Sequence, residues 1–290
     1  MSRGRRLLRA VVAVLFALSV CGLLGWFAYH HRPQPAAVRD TLFPGVVYTR
    51  SCSQGPALVT HVVTIDLQAS HPIFFVTPGD PKKDLPLSAR TTSEFLEEFQ
   101  LQLAINGDFF EPWHSNGPFD YYPHRGEPVK VEGYAISNGV TYSTGSESRS
   151  RTLRFSRDSR ASFSMPLADA YSAISGRSLV TDGVAMGLNG SREPRTAIGL
   201  DKNEHSLHIW IVDGRQPNYS EGMTLAELAE LAIRSGAWNA INLDGGGSTA
   251  LAVSKAAGKT EVLNSPIHTR IPTRERPVAN HLGVRLSSRE

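Results

Sequence analysis

The sequence predicts an α+β fold: a mainly antiparallel or mixed β-sheet with a few flanking helices, preceded by one N-terminal transmembrane helix. Three observations carry this reading. Runs of alternating or β-branched apolar residues outnumber helical runs and do not alternate regularly with them. Two stretches pair a capping-box signature with a helical apolar face. Residues 10–29 are twenty positions without a charge, which as a helix span about 30 Å, the thickness of a bilayer's hydrocarbon core.

Taken in order, Arg3, Arg5, Arg6 and Arg9 precede the apolar run, and Trp26 and Tyr29 fall where interfacial aromatic residues collect. The run exceeds the roughly 7–15 apolar residues of a cleaved signal peptide, and no small-x-small cleavage site follows it. Residues 1–9 then form a cytoplasmic basic tail and residues 10–29 an uncleaved signal anchor. Everything after Tyr29 lies outside the cytoplasm, in a periplasmic or extracellular space. Cleavage and secretion is the alternative, and either route exports the domain. Cys21 lies in the apolar run, which leaves Cys52 alone in the exported part and excludes a disulfide there.

Residues 30–44, with three prolines and little periodicity, read as a tether, and residues 45–290 as one domain. Residues 46–50, 61–67 and 72–77 read as strands. Thr91 with Glu94 opens a helix across residues 95–101, and residues 103–106 form a short buried strand. Residues 107–127, dense in Gly, Pro, aromatics and acids, read as loop. Residues 129–137 and 139–143 read as a hairpin about Asn138-Gly139. A Ser- and Arg-rich stretch at 144–151 leads to a strand at 152–156. Residues 207–212 alternate into Asp213-Gly214. Thr224 with Glu227 opens a second helix, with Leu225, Leu228, Ala229 and Ala232 on one face and Gly236 as its stop. Residues 240–243 form a buried strand entering Asp244-Gly245-Gly246-Gly247-Ser248-Thr249, and residues 249–253 continue as a strand.

Charge excludes a nucleic-acid partner. The net charge is +3 from 30 Lys+Arg and 27 Asp+Glu. Five of those arginines lie at or before Arg32 with no acid among them, so the remainder carries 25 basic against 27 acidic residues. A sequence-independent grip on DNA or RNA needs a dense basic stripe, and the domain has none. No Gly-x-Ser-x-Gly elbow or Walker loop occurs, and no histidine pair has metal-ligand spacing.

Chemistry concentrates where glycine-punctuated turns follow buried strands. Asp244, Asp213 and Asp108 are strand-end carboxylates, and paired carboxylates serve glycoside hydrolysis. Each is equally suited to capping its own turn. Arg195 and Arg276 carry planar forks suited to phosphate or carboxylate. The N–H groups of Gly245, Gly246 and Gly247, with the hydroxyls of Ser248 and Thr249, suit an anion-binding nest. Asn242, Asp244 and Asp213 offer oxygens of the kind Ca²⁺ or Mg²⁺ prefers, but no dedicated loop accompanies them. No metal site and no cofactor is expected.

Six separated motifs then agree in order: Asn106-Gly107-Asp108-Phe109-Phe110, Arg195-Thr196-Ala197-Ile198-Gly199, Val212-Asp213-Gly214-Arg215, Gly222-Met223-Thr224-Leu225, the run from Ala240 to Thr249, and Arg276-Pro277-Val278-Ala279-Asn280. Across roughly residues 60–287 the chain resembles the phosphodiester glycosidase family. The family commonly has a small residue where Asp108 stands. The resemblance implies a hydrolase that cleaves a sugar–phosphate diester at the anomeric carbon, acting on sugar-1-phosphate diesters or a related envelope polysaccharide. An exopolysaccharide glycosidase without a phosphate requirement, or a non-catalytic glycan-binding envelope protein, is the alternative. It also implies catalytic residues among Asp244, Asp213, Asp108 and Asn106, and substrate or phosphate contacts among Arg195, Arg276, Asn242 and residues 245–249. The partners are then a carbohydrate or sugar-phosphate substrate and, through residues 10–29, a membrane.

Overall fold

The computed structural model describes residues 3–145, 151–187, 189–255 and 258–286. Residues 146–150 of the Ser- and Arg-rich stretch, Met1 and Ser2 of the basic tail and the last four residues of the domain lie outside the described residues. Two antiparallel sheets make the body. A 12-stranded sheet runs from the edge strand Val38–Phe43 through Val46–Gln54, Ala57–Asp66, Ser206–Val212, Arg195–Leu200, Asn239–Asn242 and Ser172–Thr181 to the hairpin Tyr134–Ser137 and Val140–Thr144. A five-stranded sheet orders Thr260–Val262, Leu251–Ser254, Leu103–Asn106, His281–Arg285 and Ile73–Val76.

The period-2 rule explains how the central strands are buried on both faces. In Ser206–Val212 the residues Leu207, Ile209 and Ile211 face the smaller sheet and pack in one cluster with Leu103, Ile105, Leu251 and Leu282. The alternate residues Trp210 and Val212 turn the other way, under Leu228, Ala229 and Ala232 of the helix Leu225–Arg234. That helix begins at Thr224, whose hydroxyl accepts from the Glu227 N–H while the Glu227 carboxylate accepts from the Thr224 N–H. The same two-way cap opens Thr92–Glu98 at Thr91 and Glu94. This first helix stops three residues short of the predicted end. Phe99 caps it and Gln100 turns to φ +51°, which drops Leu101 into the core against Phe95 and Leu96.

Three stretches differ from the sequence expectation. Residues 38–43 are a strand, not part of a tether. They pair with Val46–Gln54 at an exposed sheet edge, where no buried face imposes a hydrophobic alternation. The predicted strand over 129–137 breaks at Glu132-Gly133, because the Gly133 N–H turns to donate to Asp108 Oδ2 at 2.8 Å. The predicted loop 107–127 contains the short strands Phe110–Glu111, His114–Gly117 and Asp120–Tyr122.

The N-terminal helix runs Arg3–His30, and its stretch Arg9–His30 is long and apolar enough to cross a membrane. Beyond it the chain is tied down. Arg32 donates to Gln216 Oε1 and Ser265 Oγ and lies over the Tyr219 ring, and Gln34 donates to the Ser53 and Tyr219 carbonyls.

Candidate active site

The two sheets meet at Asn106, the last residue of Leu103–Asn106. Its Nδ2 donates to the Asp244 carbonyl at 2.7 Å, and its Oδ1 accepts from Thr196 Oγ1 at 2.8 Å and from the Ala250 N–H at 3.2 Å. The Asp244 N–H closes the joint on the Gly107 carbonyl at 3.0 Å. Asn106 is fully buried, so it is a staple that fixes the backbone of Asp244. Gly107 is needed beside it: a Cβ there would lie 2.2 Å from Asn280 Oδ1. That oxygen accepts the Asp108 N–H at 2.9 Å, so the first and last of the six motifs interlock.

The triple glycine has a specific physical reason. Gly246 sits at φ +60°, and a Cβ on it would touch the Arg215 guanidinium at 3.0 Å. A Cβ on Gly247 would lie 2.5 Å from Arg276 Nη2. The turn is bare so that two arginines can lie flat against its backbone. The N–H groups expected to form an anion nest are largely used within the protein. Gly245 donates to Asp244 Oδ1, Gly246 to the Pro194 carbonyl, Ser248 to the Gly245 carbonyl and Thr249 to the Gly246 carbonyl. The positive surface of the turn comes from the arginines laid on it.

Arg276 is oriented by three groups. Its Nε donates to His268 Nδ1 at 3.2 Å, its Nη1 donates to Ser248 Oγ at 3.2 Å, and it lies 5.5 Å from the centre of the Trp113 ring. Burial, with the charges of Arg276 and Arg274, pushes the His268 imidazole down to about 4, which keeps it a neutral acceptor. Ser248 also stands close enough to the Asp244 carboxylate to favour its anion. Burial pushes that carboxyl above its ordinary value. Ser248, Arg276 and the Gly245 N–H pull it back, and the nearby Glu132 charge raises it further.

Asp244 lines a cavity of about 840 Å³. Four cations line it with Asp244: Arg195, Arg215, Arg270 and Arg276. Glu132 and Glu193 are its other carboxylates, and Tyr29, Phe109, Trp113 and Tyr121 form aromatic wall. Glu193 is held by Arg215 Nε at 2.5 Å, whereas Glu132 is exposed. Arg195 donates Nε to the Met223 carbonyl and Nη2 to the Ser191 carbonyl, so part of its fork is fixed.

Of the residues the sequence singled out, Asp244, Arg195, Arg276, Gly245, Gly246 and Gly247 line the cavity. Asn106, Asp108, Asp213, Asn242, Ser248 and Thr249 are buried and do not. Asp213 accepts from His61 Nε2 at 3.1 Å, Tyr219 Oη at 3.4 Å, Asn264 Nδ2 at 3.1 Å and the Ser265 N–H at 2.8 Å. Asp108 accepts the Phe109 and Gly133 N–H groups, and burial outweighs both, lifting its carboxyl to about 8. Asn242 donates to the Leu243 carbonyl. Among the described residues no group of three or more His, Cys, Asp or Glu could hold a metal ion. Sequence reasoning missed Glu132, Glu193, Arg270, Trp113 and Tyr121. Arg215 stands inside one of the six motifs, and its available signal was a fork one residue past a strand-end Asp-Gly.

A family model described as NAGPA, phosphodiester glycosidase, matches residues 99–285. The chain belongs to the phosphodiester glycosidase family. Among solved structures it is similar to a hypothetical protein from Synechocystis (TM-score 0.62, 15% identity, 86% of this chain and 64% of that one). It is similar to the zebrafish N-acetylglucosamine-1-phosphodiester alpha-N-acetylglucosaminidase catalytic domain auto-inhibited by its pro-peptide (TM-score 0.59, 19% identity, 88% and 85%). A putative exported protein from Burkholderia pseudomallei K96243 also matches (TM-score 0.54, 14% identity, 79% and 74%). At these identities the likeness speaks for the fold. The chain spans 64% of the length of the Synechocystis protein. Comparison with curated proteins finds no match.

Proposed function

We propose that this chain is an exported, membrane-anchored hydrolase that cleaves the glycosidic bond of sugar-1-phosphate diesters. The observation that carries the reading is Asp244 in a cavity lined by four arginines, two of them pressed onto the bare glycine backbone beside it. A phosphodiester brings one negative charge to such a site, and oriented guanidinium forks suit its oxygens. Arg276 and Arg215 hold the phosphate and Arg195 borders it. This places the sugar's anomeric carbon over Asp244.

The chemistry asks for little acid. The leaving group is a phosphomonoester, whose second pKa is about 6, so it departs without strong protonation. What the site supplies is charge stabilisation and an activated water. Asp244, beside Ser248, faces the developing oxocarbenium character, and Glu132 takes a proton from water as it adds to the anomeric carbon. Water's oxygen bonds that carbon, the carbon–oxygen bond to phosphate breaks, and the phosphomonoester leaves with the bonding pair. The zebrafish structure, named as an N-acetylglucosamine-1-phosphodiester enzyme, suggests the probe.

Arg215→Ala tests the phosphate role. It is expected to raise KM at least tenfold for the methyl diester of N-acetylglucosamine-1-phosphate and less than twofold for a neutral nitrophenyl N-acetylglucosaminide, read by steady-state kinetics. Equal effects on both substrates would remove the phosphate assignment and favour a glycosidase without a phosphate requirement.

A further inference from the structure

The N-terminal helix and the cavity are joined. Tyr29, one residue from the end of the apolar span Arg9–His30, lines the cavity, and its hydroxyl donates to the Arg215 carbonyl at 2.7 Å. The next residue is held too, since Asn218 Nδ2 donates to the His30 carbonyl at 2.7 Å. Arg32 and Gln34 then dock on the domain as described, so no free linker separates the span from the site. Helical residues rise about 1.5 Å each, which puts Trp26 about 4.5 Å deeper in the span than Tyr29. Tryptophan and tyrosine settle at headgroup depth, so the Tyr29 side of the cavity lies at that depth.

The cavity rim carries a second, independent feature. The hairpin of His114–Gly117 and Asp120–Tyr122 presents Phe119 at its tip, 68% exposed, and Trp113 at its base, 48% exposed. Tyr121 ties the hairpin to the cavity through edge contacts with Trp113 and His268. Ile271, next to the cavity residue Arg270, is 39% exposed. Large apolar side chains held out at the rim of a cavity that the membrane-length helix also lines suit contact with acyl chains.

We propose that the substrate is lipid-linked: a sugar-1-phosphoryl group esterified to a lipid alcohol in the bilayer that holds the helix. The proposal rests on the phosphodiester and anchor readings above. The lipid tail stays in the bilayer beside Phe119 and Ile271. The phosphate meets Arg215, Arg270 and Arg276, and the sugar passes over Asp244. Water adds to the anomeric carbon, the carbon–oxygen bond breaks, and the lipid phosphate monoester leaves with the bonding pair and remains in the membrane. The proton from water goes to Glu132 and then to solvent. The free sugar is released.

The test reconstitutes the full chain in phosphatidylcholine–phosphatidylglycerol vesicles. A non-exchanging polyprenyl diester of N-acetylglucosamine-1-phosphate is placed in the same vesicles or in separate ones, with the soluble methyl diester as a third arm. Release of free sugar is expected at least tenfold faster when enzyme and lipid substrate share a vesicle. Phe119→Ser is expected to lower that rate at least fivefold while leaving methyl-diester hydrolysis within twofold, which also reports that the variant folds. Equal rates from shared and separate vesicles, or an unaffected lipid rate in Phe119→Ser, overturn the membrane-facing site while methyl-diester turnover keeps the phosphodiester reading. No hydrolysis in any arm removes both.

Discussion

Asp244, Asp213 and Asp108 look alike in the sequence: each ends a strand and precedes a glycine or an aromatic pair. Their partners separate them, and those partners come from far along the chain. Asp213 has four donors from His61, Tyr219, Asn264 and Ser265, and Asp108 is closed over by Gly133. Asp244 alone of the three opens to the cavity. Replacing a positioned carboxylate forfeits about 10²–10⁴ in rate. Asp244→Asn should therefore lower kcat on a sugar-1-phosphate diester by about a thousandfold with an unchanged Tm, whereas near-normal turnover would end its catalytic role. Because burial raises its carboxyl and the proposed reaction uses the anion, the acid limb of kcat/KM should fall above the ordinary 3.8 of an aspartate. A pH–rate profile measures this, and a limb at or below that value contradicts it. Asp108 answers to a different measurement. Asparagine there would turn an amide NH₂ toward the Phe109 or Gly133 N–H, costing about 1–2 kcal/mol with kcat kept within threefold. The sign of its pH dependence follows from the raised value. Unfolded, the carboxyl loses its proton near 3.8, and folded it keeps it to about 8. Its contribution to stability is therefore present below 3.8 and lost as pH rises through about 8. Urea denaturation should show the gap between wild type and Asp108→Asn shrinking from pH 5 to pH 9; a widening gap would refute the assignment.

At the level of elements, local chemistry was legible and long-range geometry was not. Both capping boxes could be read from residue spacing, since a Thr and a Glu three positions on satisfy each other's N–H groups wherever the helix packs. The triple glycine was visible, but its purpose was not, because Arg215 and Arg276 reach it from 31 and 29 positions away on either side. The strand Ser172–Thr181 is not legible because serines and glycine dilute its pattern, although its ladders with Arg151–Phe155 and Asn239–Asn242 bury it. Gly247→Ala tests the element directly. The new methyl would stand 2.5 Å from Arg276 Nη2 and push the guanidinium off its seat between His268 and Ser248. The expected outcome is a loss of at least tenfold in kcat/KM, with a stability cost of about 1–3 kcal/mol. Unchanged kinetics would show that Arg276 does not need that seat.

For the whole molecule, the α+β class and the antiparallel sheet were legible from strand spacing, and the apolar N-terminal helix from its length. The pairing of Leu103–Asn106 with strands near residues 251 and 281 was not, because register between distant segments leaves no local trace. That pairing is what brings Asn106 under Asp244 and assembles one cavity from five of the six motifs or their neighbours. The net charge of +3 belongs to the first 32 residues, and the arginines of the cavity are few and placed singly around Asp244. In the proposed reaction this cavity breaks the sugar's own carbon–oxygen bond and leaves phosphorus untouched. Hydrolysis of a sugar-1-phosphate diester in H₂¹⁸O, read by mass spectrometry, tests this most directly. The label should appear in the hydroxyl of the released sugar. Label in the phosphate would mean attack at phosphorus and would rule out cleavage at the anomeric carbon.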